Sequence, residues 1–174
     1  MIFGFYMVAI AVGVFVHVYA SGKPRSSERV IEVALLYLLV IGAGAAGLLA
    51  FVGHAFYAAT TARSIGWPSG SPFQFEVAVA DLSYGVLGLM CIRRRGPFWQ
   101  ATGVANSVFL LGCNYGHLYD AFVNNNYAPN NYGLINLFEI VWPAAVLILL
   151  VPYMRLWTRQ HAAPVGMSTA SLGQ

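Results

Sequence analysis

The stretch VIEVALLYLLVIGAGAAGLLAFVGHAF, residues 30–56, decides the fold of this chain. Its only Asp, Glu, Lys or Arg is Glu32. Crossing the hydrocarbon core of a bilayer takes roughly 20 mostly apolar residues in a helix, so the stretch is long enough to cross. Its glycines and alanines gather in the middle, where small residues let membrane helices pack closely. We therefore predict a membrane-spanning helix over residues 30–56 that packs at the centre of a helical bundle.

Four further stretches are apolar and long enough to cross: about 2–20, 73–92, 98–122 and 133–157. Of the 174 residues, 59% are hydrophobic and 9% are charged, whereas an ordinary soluble domain has about 25% charged residues. No Lys or Arg precedes the first stretch, which argues against a cleaved signal peptide. The sequence predicts an all-α integral membrane protein: a single five-transmembrane-helix bundle over residues 1–157 and a flexible cytoplasmic tail over 158–174.

The positive charges predict the orientation of this bundle. With the N-terminus outside, the cytoplasmic segments hold eight of the nine Lys and Arg residues: Lys23, Arg25, Arg29, Arg93, Arg94, Arg95, Arg155 and Arg159. Cytoplasmic loops are enriched in these residues, so we predict the N-terminus out and the C-terminus in, in the inner (cytoplasmic) membrane. We therefore attribute the net charge of +3 to loop residues that fix the orientation of the bundle, and not to the binding of an acidic partner. We expect the lipid bilayer as a partner and no nucleic acid. The sequence leaves open a homo-oligomer or a larger membrane complex.

Ionisable side chains are costly in lipid, and those that occur there are candidates for function. In the predicted topology, His17 and Glu32 lie near the inner face, while six others lie in the outer half. These side chains lie on four predicted helices, and the helical stripe that carries charge on each of them also carries small or polar residues. We therefore expect the four stripes to face inward and to converge on one outward-opening polar pocket. With Asn114 from the same region, the candidate ligand-binding residues are His54, Glu76, Asp81, Asn114, His117, Asp120 and Glu139.

The stretch GCNYGHLYD, residues 112–120, places His117 and Asp120 about one helical turn apart, on one face. One interpretation is a helix-end pair at the water interface, with Asp120 orienting the imidazole ring. A second is a site for a ligand, a quinone or a proton. A third is a metal site for Zn²⁺, Fe or Mn, with His54, His117 and Asp120 as candidate ligands. No dense histidine motif accompanies them, so the sequence assigns neither a metal nor a cofactor.

Asp81 and Glu139 lie deeper in the predicted bundle, where they either hold helices together by hydrogen bonds or accept protons at a binding site. The functional prediction is a multi-pass membrane protein of unknown activity whose outward-facing polar pocket binds a small molecule, a quinone or an ion. One alternative is a proton- or cation-translocating subunit, and another is a structural or accessory subunit without chemistry. The sequence assigns no catalytic residue, and it leaves open whether the protein is an enzyme.

Three stretches carry a resemblance to a known family: IGWPSGSPFQFEVAVADLSYGVLGLMC (65–91), FWQATGVANSVFLLGCNYGHLYD (98–120) and NYAPNNYG (126–133). They resemble an uncharacterised family of small prokaryotic integral membrane proteins, classed as a domain of unknown function, over about residues 60–152. The resemblance implies a membrane protein of four or five helices and brings no catalytic residue with it. In size and layout the chain is also loosely similar to the DoxX-like small membrane proteins, some of which are linked to quinone chemistry, although no motif is shared.

Overall fold

The computed structural model describes residues 2–162, and in this part of the chain helices are joined by turns and loops, with no strand. The all-α prediction is therefore confirmed. The helices are α1 (Ile2–Ala20), α2 (Ser27–Tyr37), a π-helical segment (Leu38–Ala45), α3 (Ala46–Phe56), α4 (Ala58–Ile65), α5 (Phe73–Met90), α6 (Pro97–Val123) and α7 (Leu134–His161). The second, third and fourth of these elements run on without a break as Ser27–Phe56, which we call the central helix.

Three helices are long and apolar enough to cross a membrane: the central helix, α5 and α7. The apolar part of α1, Gly4–Ala20, is shorter. Helix α6 is long, but polar side chains such as Asn106, His117 and Asp120 lower its hydropathy. Residues 2–162 thus contain three candidate spans, whereas the sequence predicts five.

Glycines bring the central helix and α5 into direct backbone contact. A Cβ atom on Gly47 would lie 2.9 Å from the carbonyl oxygen of Asp81, and one on Gly88 would overlap the backbone of Gly44. Any larger residue would push the two helices apart, which is why small residues mark such crossings in membrane proteins. The prediction that the small residues of residues 30–56 serve close packing is confirmed, and the contact holds Asp81 toward the interior of the bundle.

The π-helical segment in the central helix was not predicted, and its neighbours explain it. Nε1 of Trp142, on α7, donates a 3.0 Å hydrogen bond to the carbonyl oxygen of Leu38, where the segment begins. The same indole lies against Gly42, in the middle of the segment. A side chain that enters the hydrogen-bond ladder of a helix is a common cause of local distortion. Such segments are frequent at functional sites, and this one contributes to the cavity described below.

The ends of two helices differ from the predicted boundaries. The central helix begins at Ser27 instead of residue 30, and Ser26 caps it by accepting a hydrogen bond from the Arg29 backbone N–H. Helix α7 continues to His161, beyond the predicted end at residue 157. Residues 158–161 of the predicted tail, 158–174, are therefore helical, and residues 163–174 of that tail lie outside the described residues.

Candidate functional site

A cavity of about 840 Å³ lies inside the bundle, between α3, α5, α6 and α7, and reaches α4 at one end. Four of the seven side chains singled out from the sequence line it, one from each of these four helices: His54, Asp81, His117 and Glu139. Most of the remaining wall is apolar, and within residues 2–162 the wall contains no Lys or Arg. The cavity is therefore the place where the helices bring predicted site residues together.

His117 is held in one orientation by Asn131. Its Nδ1 lies 2.8 Å from Oδ1 of Asn131. The amide nitrogen of Asn131 donates to the backbone carbonyls of Asn126, at 2.7 Å, and of His117, at 3.3 Å. Because these two carbonyls can only accept, they fix which end of the Asn131 amide is oxygen. Nδ1 of His117 must then carry a proton and donate it. In the neutral ring, Nε2 is left as an acceptor, 3.8 Å from Oε1 of Glu139.

Glu139 places a buried, unpaired polar atom on the cavity wall. Only 4% of the residue is exposed, and Oε2 of its carboxyl group has no hydrogen-bond partner within the described residues. The 3.8 Å separation from His117 is longer than a hydrogen bond. One turn further along α7, Pro143 has no N–H to donate, so the backbone carbonyl of Glu139 lacks its usual helical donor. Buried polar atoms are almost always paired, so the unpaired Oε2 calls for an explanation.

Asp81 faces the same cavity from α5. The residue is 8% exposed, and its side chain makes no hydrogen bond or ion pair with any other residue in 2–162. It is close enough to Glu139 and Cys113 to interact with both electrostatically. Two carboxyl groups from different helices therefore share one largely apolar space, and the described residues place no Lys or Arg side chain on its wall.

His54 completes the polar part of the wall from the end of α3. Nε2 of Gln74 lies 3.4 Å from Nδ1 of His54 and donates a 2.9 Å hydrogen bond to the carbonyl oxygen of Ala58. This arrangement makes Nδ1 of His54 the acceptor, so Nε2 carries the proton of the neutral ring. His54 is thus a donor at the cavity, in contrast to His117.

Asp120 does not line the cavity, and within the described residues its carboxylate makes no hydrogen bond to His117, so the interpretation in which Asp120 orients the imidazole ring is not supported. The carboxylate accepts hydrogen bonds from Asn124 at 2.8 Å, from Asn126 at 2.6 Å and from the indole of Trp67 at 3.2 Å. His117 points into the bundle, whereas Asp120, at the end of α6, reaches the following loop. Asp120 therefore ties that loop to the segment after α4.

Asn114 and Glu76 do not line the cavity either. Asn114 is buried, and its Oδ1 accepts a 3.2 Å hydrogen bond from Asn136 on α7. Glu76 is exposed near the start of α5. Asn114 thus joins α6 to α7, whereas Glu76 lies on the outside of the bundle.

The three candidate metal ligands, His54, His117 and Asp120, do not come together. Within residues 2–162, no group of three or more His, Cys, Asp and Glu side chains is placed to hold a metal ion. The carboxylate of Asp120 is occupied by three donors from the neighbouring loops. These residues therefore do not form one metal site.

Three side chains that the sequence analysis did not assign to the site also shape it: Trp67, Gln74 and Asn131. The ring of Trp67 stacks on that of His117, with centroids 5.9 Å apart and planes at 17°. A signal for Asn131 was present in the run NNNYAPNNYGLIN, residues 124–136. Each Asn amide both donates and accepts, so a dense run of them is typical of a hydrogen-bonded network.

The comparisons with known proteins give a family and no activity. No curated protein and no solved structure that was compared with the chain matches it. The family described as "Family of unknown function (DUF6790)" matches residues 1–159. This match confirms the resemblance to an uncharacterised family and extends it beyond residues 60–152, into the first two helices. Because it covers most of the 174 residues, the chain belongs to the family of unknown function DUF6790.

Proposed function

We propose that the chain crosses the membrane five times, with α1 and α6 joining the central helix, α5 and α7. The polar side chains that lower the hydropathy of α6 are mostly buried, Asn106, Asn114 and His117 among them, while Val108 and Tyr115 are exposed. A polar stripe that faces other helices costs far less than one that faces lipid. The lipid-facing side of α6 is therefore apolar enough for a span.

The same proposal places the N-terminus outside and the C-terminus in the cytoplasm of a prokaryote. One end of the bundle holds the turn between α5 and α6: Arg95 lies 3.7 Å from Glu32 of α2, and the Gly96 N–H donates to the Tyr153 hydroxyl of α7 at 2.9 Å. The cationic segments next to these three helix ends thus belong to one side. Cations gathered on one side are typical of the cytoplasmic face.

We further propose that the protein binds a small molecule in the cavity lined by His54, Asp81, His117 and Glu139. The observation that carries this proposal is the buried Oε2 of Glu139, which has no hydrogen-bond partner within residues 2–162, on the wall of a space of about 840 Å³. A purely structural role predicts paired polar groups, as in the contacts of Asn131 with His117. Leaving a polar group buried and unpaired costs about 1–3 kcal/mol, which a bound molecule would offset.

Gly116 offers a test, because it lines the cavity and a Cβ atom there would meet nothing within 4 Å. Gly116→Phe should fill part of the cavity without disturbing the helices. The control is Gly4→Phe on α1, where a Cβ atom also meets nothing within 4 Å and which does not line the cavity. Native mass spectrometry of gently purified protein would then compare the bound small molecules.

We expect a stoichiometric molecule on the wild type and on Gly4→Phe, and its loss from Gly116→Phe with thermal stability retained. A molecule retained by all three proteins would place it outside the cavity. If the wild type carries no bound molecule and has no affinity for 2-phenylethylamine, 2-phenylethanol or decylubiquinone, the structural or accessory role is favoured instead.

A further inference from the structure

We propose that the ligand is an organic cation: a molecule with a protonated amine and an apolar body, whose ammonium group binds between Glu139 and Asp81. This inference rests on the proposed binding function and names the chemical class of its ligand. It follows from the hydrogen-bonding character of the cavity wall, the balance of charge on it and the apolar surface that surrounds the polar groups.

The vacant polar groups of the wall are mainly acceptors. Oε2 of Glu139 has no donor within the described residues, and the Asp81 side chain has none in that part of the chain. The hydrogen bond from Nδ1 of His117 to Asn131 leaves Nε2 of its neutral ring as a further acceptor. A ligand that satisfies these groups must bring hydrogen-bond donors.

The charge balance also favours a cation. Two carboxyl groups line the cavity, and the described wall contains no Lys or Arg to neutralise them. A carboxylate removed from water needs a charged, hydrogen-bonding partner. An ammonium group supplies both a positive charge and up to three N–H donors.

A quinone head group fits this wall poorly, because its carbonyl oxygens only accept. The identified ring donor at the cavity is Nε2 of His54, since Nδ1 of His117 is already bonded to Asn131. A bare metal ion also fits poorly, because the described residues contain no cluster of three ligands. Donor-bearing ligands therefore match the wall better than either.

The apolar surface accounts for the rest of the ligand. Leu49, Phe73 and Val108 line the cavity and are also exposed on the outside of the protein. Deeper in, Phe109 and Phe138 cover the wall beside the polar groups. A molecule with an aromatic or aliphatic body would bury that surface at about 25 cal/mol per Å².

The test compares three probes on the full-length protein in detergent: 2-phenylethylamine, 2-phenylethanol and decylubiquinone. The first two differ only in the cationic group, so their difference reports on recognition of the ammonium. Isothermal titration calorimetry would give each Kd for the wild type, Glu139→Gln, Asp81→Asn and the control Glu28→Gln, an exposed carboxylate at the start of α2.

We expect the amine to bind the wild type at least about tenfold more tightly than the alcohol, as a charged hydrogen bond allows. Glu139→Gln and Asp81→Asn should each remove most of that preference, and Glu28→Gln should retain it. Equal affinity for amine and alcohol, or tighter binding of decylubiquinone, would overturn the cationic ligand while leaving the binding function intact. No binding of any probe would count against both. If a variant fails to fold, the relative affinities of the wild type for the three probes still decide whether the ligand is a cation.

Discussion

His117 shows how a residue's sequence neighbours can mislead about its partner. Helical spacing puts Asp120 on the same face, yet the ring is held by Asn131, which lies beyond the end of α6. Asn131 is fully buried and uses both ends of its amide. Asn131, a loop residue, therefore sets the ring orientation that turns Nε2 of His117 toward Glu139. No local pattern in α6 could have predicted it.

Replacing Asn131 by alanine should lower the free energy of unfolding by about 2–4 kcal/mol, since the Nδ1–H of His117 and two backbone carbonyls lose their partner in a buried place. The matched control is Asn130→Ala, which removes one exposed hydrogen bond to Ser64 and should cost less than about 1 kcal/mol. Unfolding in mixed micelles would measure both. Equal losses for the two variants would show that Asn131 has no special role.

At the scale of the elements, backbone contact between the central helix and α5 determines where Asp81 lies. Gly44 and Gly47 on the central helix meet Gly88 and the Asp81 carbonyl on α5 without intervening side chains. A larger residue at this crossing would separate the helices and widen the cavity on that side. The stability of the bundle and the position of one carboxyl group of the site thus depend on the same glycines.

Gly88→Ala should destabilise the protein by about 2–3 kcal/mol, because its methyl group would overlap the backbone of Gly44. Gly112→Ala on α6 is the matched control, since a Cβ atom there meets nothing within 4 Å. That change should leave the stability unchanged or raise it by up to about 1 kcal/mol. Thermal unfolding in detergent would compare them, and a neutral Gly88→Ala would contradict the close helix crossing.

The apolar stretches and small-residue stripes of the sequence predict most of the helices and the close packing between two of them, because both depend on local composition. The π-helical segment could not be predicted, since it depends on Trp142, 104 positions away from Leu38 along the chain. The same holds for His54 and Gln74, which meet only after the chain folds back. Periodicity gives the face of a helix on which a side chain lies, but tertiary contacts decide what it touches.

At the scale of the whole molecule, the two ends of the bundle differ in chemistry. One end holds α4 and the asparagine-rich loop, joined by Asn126, whose amide donates to the Ile65 carbonyl at 2.8 Å. The other end holds the turn with Arg93, Arg94 and Arg95, packed on the last turns of α7. The cavity reaches toward the first end, since Ser64 and Asn130 lie on its wall. The proposed orientation therefore opens it toward the outside.

Labelling with a membrane-impermeant maleimide would test this orientation on intact cells. In a background with Cys91→Ala and Cys113→Ala, Tyr127→Cys in the asparagine-rich loop should react from outside. Arg94→Cys should react only after the cells are lysed. Both positions are exposed in the folded chain, so a difference in labelling would report on the membrane. The reverse pattern would invert the topology.

The proposed role of the cavity as a binding site can be measured through Cys113. Cys113 lines the cavity, whereas Cys91 is buried elsewhere. In a Cys91→Ala background, the rate of Cys113 alkylation by N-ethylmaleimide would be followed with and without a saturating amount of whichever of the three probes binds most tightly. A bound molecule in the cavity should slow the reaction at least about tenfold at tenfold excess over its Kd, by mass action. An unchanged rate under conditions where calorimetry shows full binding would place the ligand elsewhere and contradict the proposed role.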